Sequence, residues 1–224
     1  MTASIAETRA AILDRIAAAA KTAGRDPHAV TFVAVSKKQP DERIEAALEA
    51  GQRVFGENRV QEAQGRWAER RAAWPDLELR LVGPLQTNKA EDACALFDVI
   101  ETLDREKLAK ALVKAFDKTG RRPRLYVQVN TGEEDQKAGV APDAVEDFVA
   151  RMRSEYGLKI EGLMCIPPVD EPASLHFALL DKLAARCGVA QRSMGMSADY
   201  ETAVTLGATS VRVGSALFGE RPKA

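Results

Sequence analysis

Two lysines follow a short apolar run and could supply a reactive amine. Lys37 and Lys38 follow Ser36 at the end of Val30 to Val35, a β-branched run typical of a buried strand. Because side chains alternate along a strand, Lys37 continues the face of Val33 and Val35. Lys38 points the other way. Partial desolvation disfavours the charged ammonium, which frees the amine of Lys37 for Schiff-base chemistry. Alternatively, both lysines are solvated residues where the strand leaves the core.

Two turns near the end of the sequence have the composition of a phosphate-binding site. Ser197 comes just before a predicted helix, where it serves either as N-cap or as hydroxyl donor to a phosphate. Gly214 and Ser215 stand at the start of the last predicted helix, where glycine lets the backbone approach an anion closely. Ordinary helix capping explains each turn alone, but together the two turns indicate one phosphate cradle.

Arg212 is a charged residue inside an apolar strand. It alternates with Val211 and Val213 and therefore faces the opposite side. An unpaired buried guanidinium is costly, so Arg212 must have a partner. That partner is either a bound ligand or a carboxylate in a structural salt bridge, and the sequence leaves both open.

Composition excludes several classes of protein. The 32 Lys and Arg residues balance 33 Asp and Glu residues, which argues against a nucleic-acid binder. Three cysteines, Cys94, Cys165 and Cys187, share no C-x-x-C spacing, so we expect a reducing compartment without disulfides or a metal site. Charges interrupt every apolar stretch and the first residues lack a secretory signal, so we predict a cytoplasmic protein.

Strand and helix patterns alternate eight times along the chain, which predicts a parallel sheet. Eight such units in 224 residues favour a single (β/α)8 barrel spanning residues 1–224, preceded by an extra helix within residues 1–25. Ser4 and Glu7 have capping-box spacing at the start of that helix. A doubly wound sheet is the alternative, but SKKQP stands where its glycine-rich turn is expected. A barrel places its active site at the carboxyl ends of its strands, where Lys37 and the two glycine- and serine-bearing turns lie.

Several long motifs resemble one known family along almost the whole sequence. The chain is similar to the YggS/PROSC family of pyridoxal phosphate homeostasis proteins. The resemblance implies a barrel like the N-terminal domain of alanine racemase, which binds pyridoxal 5'-phosphate as an internal aldimine. The matching segments are AVSKKQP (34–40), AGQRVFGENRVQEA (50–63), GPLQTNK (83–89), EGLMCIPP (161–168), MGMSADYETAVTLGAT (194–209) and VRVGSALFGER (211–221).

The resemblance assigns roles to individual residues. It implies that Lys37 is the Schiff-base lysine, that Arg212 faces the pyridine nitrogen and that Asn58 lines the pocket. Lys38 and Lys137 match lysines near the site, with a role in cofactor transfer. The predicted cofactor-binding residues are Lys37, Asn58, Met164, Ser197, Arg212, Gly214 and Ser215, with Met164 in the pocket wall. No catalytic residue and no metal ligand are predicted.

The sequence departs from the family pattern at two places. An aromatic residue and a histidine usually precede the GxLQxNK turn, but Leu79 and Arg80 stand there. Any role for that histidine is therefore in doubt. Threonine often follows the glycine of the last phosphate turn, and Ser215 keeps the hydroxyl in its place.

The implied site suits a cofactor carrier better than an enzyme. Arginine only donates hydrogen bonds, so a pyridine nitrogen facing Arg212 stays unprotonated and the ring is a poor electron sink. Exchange of the cofactor at Lys37 needs no such sink. We therefore expect a monomeric protein that buffers pyridoxal 5'-phosphate and delivers it to apo forms of pyridoxal-phosphate-dependent enzymes.

The alternative is an amino-acid racemase. Racemases of this type need a second acid or base, a tyrosine from a separate C-terminal β-domain. The sequence ends at Ala224, directly after the predicted barrel, so we expect no such domain. Of Tyr126, Tyr156 and Tyr200, only Tyr200 is near a site-bearing loop, and we expect it to lie within a helix. A third class, a barrel enzyme acting on phosphate esters, would need a carboxylate pair or a metal site, and the sequence contains no convincing one.

Overall fold

Strands and helices alternate along the whole chain in the computed structural model, which describes residues 3–220. Residues 1–2 and 221–224, the ends of the predicted domain and of the matching segment 211–221, lie outside that range. The strands are β1 (Thr31–Val35), β2 (Val54–Glu57), β3 (Glu78–Leu81), β4 (Val99–Leu103), β5 (Arg124–Val129), β6 (Ile160–Cys165), β7 (Gln191–Ser193) and β8 (Ser210–Val213). The helices are α1 (Ile5–Thr22), α2 (Asp41–Glu49), α3 (Val60–Ala73), α4 (Ala90–Leu96), α5 (Glu106–Thr119), α6 (Val145–Ser154), α7 (Ala173–Arg186), α8 (Tyr200–Thr205) and α9 (Ser215–Phe218).

The eight strands form a closed parallel barrel in sequence order. Each strand pairs with the next one along the chain, and β8 closes the barrel by pairing with β1, where Val33 aligns with Arg212. Closure confirms the predicted (β/α)8 architecture and excludes the doubly wound sheet, which is open at both edges.

The amphipathic helix α1 lies outside the eight repeating units. Ser4 caps it, and the carboxylate of Glu7 accepts a hydrogen bond from the backbone amide of Ser4, so the predicted capping box is present. Ile12, Ile16 and Ala20 are its buried face, which packs near α2, α8 and α9. The predicted N-terminal helix is thereby confirmed. None of the helices between residues 3 and 220 combines the length and apolar character needed to cross a lipid bilayer.

Both faces of the strands are buried, one against the surrounding helices and the other inside the barrel. One face packs against the helices and forms a continuous apolar cluster, in which Leu163 and Cys165 of β6 take part. Met164, between them, is fully buried but does not belong to that cluster, which places it inside the barrel. The other buried apolar side chains outside the cluster are Val33, Val82, Val99 and Tyr126. Branched apolar residues usually dominate a barrel interior, but here polar residues share it.

The interior polar residues contact one another across the barrel. Ser193 on β7 donates a hydrogen bond of 2.6 Å to Glu101 on β4. Because β5 and β6 separate these two strands in the sheet, the contact must run through the interior. Arg80 on β3 also binds Glu101, at 3.1 Å. The barrel therefore has a polar axis inside an apolar wall.

Gly83, two residues after the end of β3, sets how closely the ends of β2 and β3 approach. A Cβ atom at position 83 would lie 2.2 Å from the carbonyl oxygen of Asn58. We expect Gly83→Ala to destabilise the fold by about 1–3 kcal/mol through overpacking. Gly65, in α3, is the control because a Cβ there meets nothing within 4 Å. Gly65→Ala should stabilise the helix by about 0.5–1 kcal/mol. Urea unfolding measures both, and equal effects would contradict the close approach at Gly83.

Candidate functional site

A cavity of about 290 Å³ opens at the carboxyl ends of the strands, where a barrel of this type places its chemistry. Six of the predicted cofactor-binding residues line it together, although they come from four separate parts of the chain. Its wall consists of Val35, Lys37, Asn58, Val82, Ile166, Met196, Ser197, Ala198, Arg212, Gly214 and Ser215.

Lys37 reaches the cavity from the end of β1. Val35 and Lys37 both line the cavity, as the alternation along the strand predicts. Lys38 is exposed, does not line the cavity and adopts a left-handed backbone conformation with φ of 58°. The two adjacent lysines therefore have different surroundings, and only Lys37 is directed into the cavity.

The turn that carries Lys37 is held from behind by a buried carboxylate. One oxygen of Glu57, at the end of β2, accepts a hydrogen bond of 2.7 Å from the hydroxyl of Ser36 and another of 3.1 Å from the indole of Trp67. Arg66 donates to the same oxygen at 3.2 Å. Arg66 also donates to the backbone carbonyls of Ser36 and Gln39, each at 3.0 Å. These contacts fix both ends of the turn around Lys37.

Sequence reasoning missed this anchor, although one signal was available. Glu57 is a carboxylate at the end of an apolar strand, and such a group must find donors when it is buried. Its donors, Arg66 and Trp67, lie about two turns into the next helix and have no recognisable spacing relative to Ser36.

Ser197 joins the two turns that follow β7 and β8. Its hydroxyl oxygen accepts hydrogen bonds from the backbone amides of Gly214 and Ala216, each at 3.2 Å. Because the oxygen accepts both, the hydroxyl proton is left to donate to another group. Ser197 does not cap α8, which was one of its two predicted roles. Asp199 precedes that helix, and its carboxylate accepts from the amide of Met196 at 2.6 Å.

Gly214 brings the last turn close to β1. A Cβ atom at this position would lie 3.2 Å from the carbonyl oxygen of Val35. Ser215 follows as the first residue of α9, and its side chain is exposed at the edge of the cavity. The backbone of this turn therefore forms part of the cavity wall itself.

Arg212 forms the floor of the cavity and is 5% exposed. Its guanidinium donates hydrogen bonds of 2.6 Å to the hydroxyl of Ser193 and 2.7 Å to the backbone carbonyl of Cys165. The carboxylate of Glu101 lies 4.0 Å away. The sequence required a partner for this arginine, and the structure supplies three while leaving the guanidinium in contact with the cavity.

Cys165 binds Arg212 through its backbone carbonyl and not through its sulfur. Burial raises the pKa of the thiol to about 12. The thiol therefore stays protonated at neutral pH and is a poor nucleophile.

The remaining predicted residues lie outside this cavity. Met164 is fully buried inside the barrel and is not among the residues that line the cavity. Lys137 lines a second cavity of about 280 Å³, whose wall shares Asn58, Val82 and Ile166 with the first. The Lys137 amine donates to the carbonyl of Pro167 at 3.2 Å and also pairs with Glu134.

Similarity to known proteins extends over almost the whole chain. The family model for the alanine racemase N-terminal domain matches residues 8–222. The pyridoxal phosphate homeostasis protein of Pseudomonas aeruginosa is 40% identical, over 97% of this chain and 96% of that protein. Its counterpart in Escherichia coli K12 is 34% identical, over 97% of both chains. The chain belongs to this family of pyridoxal phosphate homeostasis proteins.

Solved structures agree with this membership. PipY of Synechococcus elongatus PCC7942, solved without PLP, has a TM-score of 0.80 and 38% identity, covering 93% of this chain and 100% of that chain. The same protein solved with PLP bound has a TM-score of 0.77. An alanine racemase of Clostridium difficile 630, at 15% identity and a TM-score of 0.67, shares the barrel fold, and the match covers 57% of that longer chain.

The ion pair between Arg66 and Glu57 behind Lys37 should contribute to the stability of the fold. We expect Arg66→Met to destabilise the fold by about 3–5 kcal/mol, because it leaves the fully buried Glu57 carboxylate without its cation. Glu62→Ala is the control, since the Arg59–Glu62 pair is exposed and its loss should cost about 1 kcal/mol or less. Urea unfolding of both variants measures the difference. A loss for Arg66→Met no larger than that of the control would contradict the anchoring role.

Proposed function

We propose that this protein binds pyridoxal 5'-phosphate in the cavity beside Lys37 and takes part in its intracellular homeostasis by storing and delivering it. One observation carries the proposal: a single cavity joins a lysine amine, a donor-only arginine and two hydroxyl-bearing turns. The family membership and the PLP-bound structure of the similar PipY protein support it.

The residues present fit this cofactor. Gly214 leaves room where a Cβ atom would fill the space next to Val35, so an anion can approach the backbone of this turn. The hydroxyl groups of Ser197 and Ser215 would hold the phosphate from the two sides of the cradle. Lys37 would provide the covalent attachment, and Arg212 would contact the pyridine nitrogen from the floor.

When bound, pyridoxal 5'-phosphate supplies an aldehyde that condenses reversibly with amines and a ring that accepts electrons best when its nitrogen is protonated. Arg212 keeps its own protons and presents only donors, so it holds no proton for the ring to take. Lys37 exchanges with other amines without assistance from the ring. The site is therefore suited to attaching and releasing the cofactor.

Racemisation is less well supported because it needs a second acid or base across the ring. Among the described residues that line the cavity, Lys37 is the single amine, and tyrosine, histidine and carboxylate side chains do not occur. Tyr200 lies in α8 and is buried, as expected for a helical residue. Tyr126 is buried inside the barrel, and Tyr156 is hydrogen-bonded to Glu106. We therefore propose that the protein is a carrier without catalytic turnover.

We propose that the protein acts as a monomer in the cytoplasm and transfers the cofactor to apo forms of pyridoxal-phosphate-dependent enzymes. Lys38 is exposed one residue from the attachment site, and Lys137 lines the adjoining cavity. We propose that these two amines take over the cofactor as it leaves Lys37.

The attachment site can be tested directly. We expect the purified protein with added pyridoxal 5'-phosphate to absorb near the visible range, and borohydride reduction followed by peptide mass mapping to find the adduct on Lys37. Lys37→Ala should abolish the band while keeping the thermal unfolding midpoint, and Lys38→Ala is the control that should retain it. A band that survives in Lys37→Ala would move the attachment elsewhere. Measurable amino-acid racemisation by the same sample would favour the enzymatic alternative.

The phosphate cradle makes a second prediction. Removing both hydroxyl groups with Ser197→Ala and Ser215→Ala should weaken retention of pyridoxal 5'-phosphate by about tenfold or more, because hydrogen bonds to a charged group are worth about 1.5–3 kcal/mol each. Binding of pyridoxal without phosphate should change little. Ser154→Ala, on the exposed end of α6, is the control. If both ligands lost affinity equally, these hydroxyl groups would not bind the phosphate.

A further inference from the structure

A chain of hydrogen-bonded side chains runs through the barrel from its amino-terminal end to the floor of the cavity. Each member contacts the next, and the contact between Ser193 on β7 and Glu101 on β4 crosses the barrel interior. The members, from the bottom upward, are Arg124, Glu78, Arg80, Glu101, Ser193 and Arg212. The last four of these residues, from Arg80 to Arg212, are almost fully buried, and none is more than 5% exposed. We call this set the axial network.

Hydrogen-bond chemistry fixes the direction of every contact in the upper half of the axial network. Arg212 can only donate, so the oxygen of Ser193 accepts from it at 2.6 Å. The single proton of Ser193 then goes to Glu101, at 2.6 Å. The other oxygen of Glu101 accepts from Arg80 at 3.1 Å. Glu101 therefore receives a donor on both of its oxygens.

Arg80 is in turn held from below. Its Nε donates to Glu78 at 2.6 Å, and Glu78 also accepts from Arg124 at 2.5 Å. Burial by itself lowers the pKa of Arg80, but Glu101 and Glu78 more than offset this effect and the net shift is upward. Arg80 is therefore a permanent cation.

The charges of the axial network do not cancel. Three guanidinium groups face two carboxylates, which leaves one positive charge. Arg124 and Glu78 are partly exposed, but the upper members, two guanidinium groups and one carboxylate, are buried in a region of low dielectric. Arg212 is the member in contact with the cavity, so the positive potential is felt by whatever binds there. A positive potential disfavours protonation of a nearby basic nitrogen.

We propose that Ser193, Glu101 and Arg80 are positioning residues that act through Arg212 and hold its guanidinium against the heteroaromatic nitrogen of the bound cofactor. This inference rests on the proposed function, because the nitrogen belongs to pyridoxal 5'-phosphate. Ser193 and the Cys165 carbonyl fix the two ends of the guanidinium, and Glu101 fixes Ser193. Arg80 keeps Glu101 from turning toward Arg212, whose nearest nitrogen is 4.0 Å away.

The test uses pyridoxal 5'-phosphate labelled with ¹⁵N in its ring, bound to the full-length protein. Ser193→Ala, Glu101→Gln and Arg80→Met are each made alone and together with Arg212→Met. In the single variants we expect the ring ¹⁵N resonance to move toward its position in Arg212→Met. Affinity should fall about tenfold, as for loss of a partner in a buried network. In the Arg212→Met background the same changes should have no further effect on either readout, because coupled residues are non-additive.

Thr102→Val is the matched control. Thr102 neighbours Glu101 on β4, is buried, and donates to the carbonyl of Gly83 rather than to the axial network. Its loss should reduce stability without moving the ring resonance. Ser193→Ala removes one oxygen and no charge, so it keeps the test decisive if a charge-removing variant fails to fold.

Failure of the inference is distinguishable from failure of the proposed function. A wild-type protein that takes up no pyridoxal 5'-phosphate would overturn both. Normal uptake with an unchanged ring resonance in Ser193→Ala and Glu101→Gln would overturn the inference alone. Equal effects in the presence and absence of Arg212 would likewise overturn it, since they would show a structural role that does not pass through the guanidinium.

Discussion

The buried guanidinium of Arg212 imposes the strongest constraint on this barrel. A buried arginine needs hydrogen-bond acceptors for its N–H groups and a negative charge nearby. Ser193, Glu101 and the carbonyl of Cys165 do so from three other strands. Those partners need partners of their own, and Arg80 and Glu78 continue the set to the opposite end of the barrel. One charge at the floor of the cavity thus accounts for the polar axis of the interior.

Hydrogen bonds of polar side chains also hold the rim of the cavity in place. Glu57 and Arg66 fix the turn of Lys37 from the side of the helices, and Ser197 ties together the turns after β7 and β8. None of these contacts involves a ligand. The Lys37 turn, the floor of the cavity and the proposed phosphate cradle are therefore positioned by contacts within the protein, which would reduce the ordering that a ligand must cause on binding.

Local sequence pattern was sufficient to predict the strands and helices and the direction of Lys37, whereas Met164 was predicted in the cavity wall and lies inside the barrel. Alternation along β1 placed Lys37 beside Val35, and the eightfold repetition predicted the barrel. Local pattern could not predict contacts between distant strands. The contact between Glu101 on β4 and Ser193 on β7, for example, depends on how the sheet closes. Ser197 shows a subtler limit: its role as N-cap was wrong because Asp199 occupies that position and the hydroxyl is used between two turns.

Arg80 is a residue at which the sequence departs from the resembled family pattern, and its contacts give that departure a physical context. A neutral imidazole at this position could leave Glu101 uncompensated, whereas a guanidinium pairs with it and adds a permanent positive charge below Arg212. Under the function proposed above, a ring nitrogen above that charge would gain little from protonation, and the bound cofactor would stay in the form that stabilises carbanions least. The proposed attachment through Lys37 would be unaffected, because amine exchange depends on the aldehyde and not on the ring nitrogen. An interior of this kind would separate holding the cofactor from using it, which is the property that the proposed carrier requires.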